Sequence, residues 1–133
     1  MNSIQELAEK FAAAFNARDL GAMAALLAEN ATAEVSKSDF GVEEGRQKIK
    51  ETSLPHILGD ESDPKPLAAE TWDEDGTTYV LLREAEGDRA LDCALKLEAE
   101  QGQIQRIDYL VLYHELEELT RISQKAGMKL RSI

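Results

Sequence analysis

Cysteine, positive charge and long apolar runs are all scarce in this 133-residue chain. The single cysteine, Cys93, leaves no intramolecular disulfide to form and no thiolate cluster to hold a metal. Fifteen Lys and Arg stand against 26 Asp and Glu, a formal net charge of −11. That field repels phosphate backbones and anionic headgroups, so no nucleic acid and no membrane surface is expected as a partner, and its plainer service is solubility. No apolar run approaches the length of a membrane span. The N-terminus carries no basic-then-apolar leader, which makes a cytoplasmic location the default expectation. The two histidines, His56 and His114, lie far apart without a ligand-spaced partner, which argues against a metal site. A Gly-rich phosphate loop, a nucleophile elbow and a redox pair are also missing, and no cofactor is expected.

What is present reads as one domain spanning residues 1–133, long enough to bury roughly two-thirds of its unfolded surface. Ser3-Ile4-Gln5-Glu6 is a capping-box pattern. Ile4, Leu7, Phe11, Ala14 and Phe15 follow at helical spacing on one face. Asp19 is placed to cap a second helix whose apolar side carries Leu20, Met23, Ala24 and Leu27. Ala31 to Val35 alternates like a short strand, and Ser36 to Glu44 reads as a polar loop around Phe40. A third helix is expected from Gly45 to Ser53, stopped or kinked at Pro55.

After the loop Gly59 to Pro66 the chain turns to strands: Leu67 to Asp73, Thr77 to Glu86, Arg89 to Ala99 and Gln103 to Tyr113. The turns between them carry Gly76, Gly87 and Gly102, which predicts an antiparallel meander. A final helix from His114 to Ala126 should stop at Gly127, with acids early and bases late, as the helix dipole favours. Helices followed by hairpins make an α+β fold, with helices packed on one face of a curved antiparallel sheet. Tyr79 to Leu82 and Tyr109 to Tyr113 are apolar on both faces, so both faces need cover.

The run Phe11-Ala12-Ala13-Ala14-Phe15-Asn16-Ala17-Arg18-Asp19-Leu20, the segment Ala25 to Glu34 and the opening Gly45-Arg46-Gln47-Lys48-Ile49 together resemble the start of the nuclear transport factor 2-like (NTF2-like) superfamily. That superfamily includes ketosteroid isomerases and SnoaL-like polyketide cyclases. The resemblance implies a cone with three N-terminal helices and a pocket between helices and sheet. It also implies an inward set of Tyr79, Leu81, Arg83, Cys93, Leu95, Leu97, Ile107, Tyr109 and Val111. Phe11 and Phe15 would reach in from the first helix, with Trp72 at the mouth. The isomerases use an Asp base with a Tyr and a protonated Asp as oxyanion hole. The matching positions hold Val35, Phe11 and Cys93, which can perform none of those roles. A one-residue slip in the matching would instead turn Glu34 and Asp92 inward as an acid–base pair.

Arg83 is the sharpest ligand-binding candidate, because a guanidinium inside an apolar cone must meet a carboxylate, from a ligand or from an internal acid. Tyr79 and Tyr109 offer hydroxyls or simply pack. Trp72, Phe15 and Cys93 complete the candidate lining, Cys93 reading as an inert buried thiol. Three functions remain in play. The first is a SnoaL-like module binding a small, mostly apolar ligand, possibly a carboxylate. The second is an isomerase, cyclase, hydratase or dehydratase that moves protons with Glu34, Asp92 or His56. The third is an interaction protein whose cone is filled by its own side chains. A homodimer is expected through Val80, Leu82, Leu110 and Leu112 on the outer sheet face, unless the terminal helix covers them.

Overall fold

A computed structural model describes residues 4–36, 39, 41–58, 67–74, 76–84, 90–111 and 114–130. The expected cap at Ser3, the residues Phe40, Leu112 and Tyr113, the loop 59–66 and the turn at Gly87 lie outside the described residues.

Helix α1 spans Ile4–Asn16 and buries the stripe predicted from its spacing, with Leu7, Phe11 and Phe15 all within 1 % of full burial. It ends by closing on itself. Arg18 takes a left-handed φ of 58°, and the Arg18 and Asp19 amides donate back to the carbonyls of Phe15 and Ala14. Asp19 then caps α2 (Leu20–Ala25), its Oδ1 accepting from the Ala22 amide at 3.0 Å.

Strand β1 occupies Leu27–Val35, four residues more than its alternation suggested. The extra length is bought by pairing with a strand far downstream, Leu27 opposite Ile104, which no local pattern reveals. A second unforeseen strand, β2 (Val42–Glu44), lies antiparallel on β1 where a polar loop was expected. The third helical region runs as α3 (Arg46–Lys48), a π-helical stretch Ile49–Ser53 and α4 (Leu54–Leu58). It passes through Pro55 rather than stopping there. A regular helix would drive the proline ring into the Glu51 carbonyl, and the widened π-turn falls where that clash would arise.

Strands β3 (Leu67–Glu74), β4 (Thr77–Glu84), β5 (Ala90–Glu100) and β6 (Gln103–Val111) form the expected meander. The Gln101-Gly102 turn has φ of 55° and 77°, the double left-handed geometry that matches hairpin twist. Sheet order is β2-β1-β6-β5-β4-β3, with the two-residue strand β7 (Lys129–Leu130) added to β5. The sheet is mixed rather than antiparallel, because β1–β6 and β5–β7 are parallel. Neither pair is joined by a hairpin, so nothing in the connections imposes reversal. β7 occupies the lane beside β5 that β6 leaves after Val111.

Helix α5 (Leu116–Lys125) packs on the outer sheet face, so the sheet separates two cores. The inner core lies between sheet and N-terminal helices and holds Phe11, Phe15, Val80, Leu82, Leu95 and Ile107. The outer core packs Tyr79, Leu81, Ala94 and Leu110 against Leu119, Ile122 and Met128. The doubly apolar strands are thus covered on both faces within one chain. Leu110 is buried under this second layer, and Val80 and Leu82 face the helices, so the three described residues of the patch expected to carry a dimer are buried within the chain. Gly127 stops α5 as foreseen, with φ 71° and the Met128 amide donating to the Ser123 carbonyl.

The assignment of faces on β4 needs correction. Directly paired residues share a face, and Val80 pairs with Leu95 and Leu82 with Cys93. Val80 and Leu82 therefore point into the cone, while Tyr79, Leu81 and Arg83 point out of it. On β5 and β6 the inward sets hold Cys93, Leu95, Leu97, Ile107 and Tyr109 as expected.

β3 is an edge strand, and one side chain engages its open backbone. The Ala69 amide donates to Asn16 Oδ1 at 2.7 Å, and Asn16 Nδ2 donates to the Ala69 carbonyl at 3.1 Å. Asn16 acts as a one-residue strand that blunts the edge. Asn16→Leu should cost about 1–2 kcal/mol in urea unfolding, since both backbone groups lose a partner. A loss within error would make the contact incidental.

Candidate ligand-binding site

The inner face of the cone opens into a cavity of about 370 Å³ between the third helical region and β1, β2 and β6. Its apolar wall comes from Ala33 and Val35 of β1, Ile57 of α4 and Ile107 of β6. Pairing explains the alignment: Ala33 sits opposite Ile107 and Val35 opposite Tyr109, so all four face inward together. The π-helical stretch supplies Thr52 and Ser53, and α4 supplies His56 one turn on. A π-turn shifts the helical register by about one residue, and such turns recur at functional sites. Here it lies directly against the cavity.

The polar side of the cavity is small. His56 stands edge-on to Tyr109, with ring centroids 5.9 Å apart at 72°. The Tyr109 hydroxyl lies 3.5 Å from the Cys93 thiol on the neighbouring strand. Burial pushes that thiol up to about 12; the Tyr109 hydrogen bond offsets part of the rise and the Asp92 charge adds to it. Cys93 is therefore a neutral thiol and not a nucleophile. The polar wall also includes Glu43 on β2, which pairs with Ala33 and so shares its inward face. The Glu43 carboxylate makes no hydrogen bond or ion pair with any described residue. Glu34 belongs to the wall through its place in β1, but its carboxylate pairs with Arg106, which also binds Asp108 at 3.0 Å.

The residues singled out from sequence divide sharply. Tyr109 and His56 meet at the cavity. Phe15 and Cys93 belong to the inner core rather than to the cavity wall. Tyr79, Trp72 and Arg83 do not approach it. Arg83 sits on the opposite sheet face, its guanidinium 3.1 Å from Glu70. Tyr79 donates to Glu118 Oε1 of α5 at 2.8 Å, and Lys96 reaches the same oxygen at 3.5 Å. Burial, then the hydrogen bond and charge of Glu118, raise the Tyr79 hydroxyl well above its ordinary range. Trp72 packs against the same outer core. Asp92 occupies the β-bulge between the Leu82–Cys93 and Arg83–Leu91 pairs, and Glu34 turns to Arg106, so the two acids are not brought together as a catalytic pair. The reading from sequence missed Glu43, which lay in a presumed loop; only its pairing with β1 gives it a direction. Among the described residues, no group of three His, Cys, Asp or Glu could hold a metal ion, and no helix is long and apolar enough to cross a membrane.

No protein-family model matches the chain, and no curated protein matches it by sequence. Solved structures do. An NTF2-like protein of unknown function from Burkholderia xenovorans LB400 superposes with a TM-score of 0.60 at 17% identity, over 80% of this chain and 80% of that one. Bal32a, from a soil-derived mobile gene cassette, gives 0.57 at 24% identity over 82% of this chain and 90% of its own. A candidate ketosteroid isomerase from Kribbella flavida DSM 17836 gives 0.57 at 21% identity, over 80% and 76%. The chain has the NTF2-like fold: an α+β cone with a curved mixed sheet. That fold hosts unrelated functions, so the activity must be argued from the cavity itself.

Proposed function

We propose that the protein binds a small, mostly apolar molecule in the cone cavity, with His56 and Tyr109 meeting its polar end. The observation that carries this reading is the cavity of about 370 Å³ with an apolar wall and one convergent polar pair. Cavities of this size, apolar with few placed polar groups, suit small-molecule ligands. The carboxylate once expected as ligand loses its support, because Arg83 is committed to Glu70 on the other face.

A second reading is favoured by one further observation. His56 stands on the cavity wall against the Tyr109 ring, where an imidazole can move a proton to or from a bound molecule. Some structural neighbours bear the names candidate ketosteroid isomerase or candidate polyketide cyclase. Steroid isomerisation by the isomerases' own route is not expected here. The resemblance matches Val35 to the base and Phe11 to the oxyanion tyrosine; Val35 can carry no proton, and Phe11 is buried in the inner core where it offers no donor.

The test is a thermal-shift screen of apolar alcohols, ketones and amines on the wild type and on Ala33→Leu, which fills the cavity from its wall. Ligands at 100-fold excess over Kd should stabilise the wild type by about 2.7 kcal/mol. Tyr109→Phe should weaken binding by roughly two- to tenfold by removing one hydrogen bond. Equal shifts in the wild type and Ala33→Leu would place binding elsewhere and sink the proposal.

A further inference from the structure

The cavity carries more information in its charges than in its shape. Among the described residues, no lysine or arginine lines it. Its acids differ in state. Glu34 is neutralised by Arg106 on the outer face, whereas Glu43 faces inward from β2 with no charged or hydrogen-bonding partner among the described residues. Glu43 is half-buried, and it shares the cavity lining with Ala33, which it faces across β1 and β2, and with Val35, His56 and Tyr109.

An anion entering this space would meet an uncompensated carboxylate across an apolar wall and surrender its own hydration without a counter-charge. A neutral molecule would leave Glu43 as it is. A cation would form a charge-assisted hydrogen bond with it, while the apolar wall accepts the remainder of the molecule. The whole chain acts in the same direction, since a net charge of −11 attracts cations and repels anions at long range.

Resting on the reading of this cavity as a binding site, we infer that its ligand class is an apolar amine, whose ammonium is held by Glu43. Tyr109 and His56 flank the same polar end, and the wall of Ala33, Val35, Ile57 and Ile107 takes the amine's apolar body. The cavity selects against carboxylates of the same shape, opposite to the preference that an inward Arg83 would impose.

The experiment uses three probes of one shape: 2-phenylethylamine, 2-phenylethanol and phenylacetate, titrated calorimetrically at neutral pH and low salt. The wild type should bind the amine about tenfold more tightly than the alcohol, a difference typical of a charge-assisted contact, and should bind phenylacetate more weakly than either. Glu43→Gln keeps the shape of the side chain and removes its charge. It should bring the amine's affinity down to about that of the alcohol, whose own affinity falls far less because it loses no charge pairing. Added salt should weaken the amine alone. If the wild type binds all three alike, or if Glu43→Gln retains the amine preference, the inference is overturned while the cavity reading stands. If neither the amine nor the alcohol binds at millimolar concentration, the cavity reading fails and takes the inference with it.

Discussion

Leu82→Ala should lower the unfolding free energy by about 2–5 kcal/mol, whereas Arg83→Met should change it by less than about 1 kcal/mol. The two residues are neighbours on β4 and separate the two possible phases of that strand. Leu82 is fully buried in the inner core, opposite Cys93. Truncating it removes the transfer energy of the lost methyl groups and leaves a cavity that packed neighbours cannot fully close. Arg83 is the reverse case. Its side chain is 27% exposed and its partner Glu70 is 40% exposed, so each charge is substantially hydrated and the pair is screened. Removing the guanidinium leaves Glu70 in contact with water, not stranded in hydrocarbon. Urea unfolding of both variants at constant m decides the matter. A large cost at Arg83 would mean that β4 is turned over, with Arg83 inside the cone.

The phase of β4 was out of reach of its own residues for a reason visible in its neighbours. On β5, Lys96 and Glu98 alternate with Cys93, Leu95 and Leu97, and on β6, Arg106 and Asp108 flank Ile107. Polar residues at every second position declare which face meets the helices. Tyr79-Val80-Leu81-Leu82 has no such marker, because α5 makes its outer face as dry as its inner one. Local signals performed well where the physics is local: the stripe of α1, the Asp19 cap, the Gln101-Gly102 turn and the Gly127 stop. They failed where partners come from far along the chain. β2 has one apolar residue and β7 only two residues in all, and both owe their existence to a strand that offers an edge. The candidate site divides in the same way. The inward direction of Tyr109 was legible from the resemblance to the isomerases, but Glu43 takes its direction from pairing with Ala33 and could not be read from a segment that looked like a loop.

Alkaline pH should destabilise the protein more steeply than its composition alone requires, and two buried groups account for the excess. Burial first, moderated by Tyr109 and reinforced by Asp92, holds the Cys93 thiol up to about 12, above the ordinary thiol range near 9.0. Burial and the bond to Glu118 raise the Tyr79 hydroxyl in the same direction from its ordinary 10.0. For both groups the unfolded chain releases its proton at lower pH than the folded chain does. Their contribution is therefore intact below about pH 9 and is lost as pH rises through the folded values. Between about pH 9 and 12 each group in its window steepens the decline by up to about 1.4 kcal/mol per pH unit. The comparison uses slopes, because Cys93→Ala and Tyr79→Phe each alter packing as well. Urea unfolding from pH 8 to 11 should give a steep decline in the wild type and a flatter one in each variant. The Tyr79→Phe difference should emerge about one pH unit later than the Cys93→Ala difference. The same burial predicts that a thiol reagent at neutral pH modifies Cys93 only as fast as the chain unfolds, because the thiol is both protonated and 5% exposed. Rapid modification of the native protein, together with an unchanged slope in Cys93→Ala, would show that the thiol is open to solvent and that the inner core is looser than its packing implies.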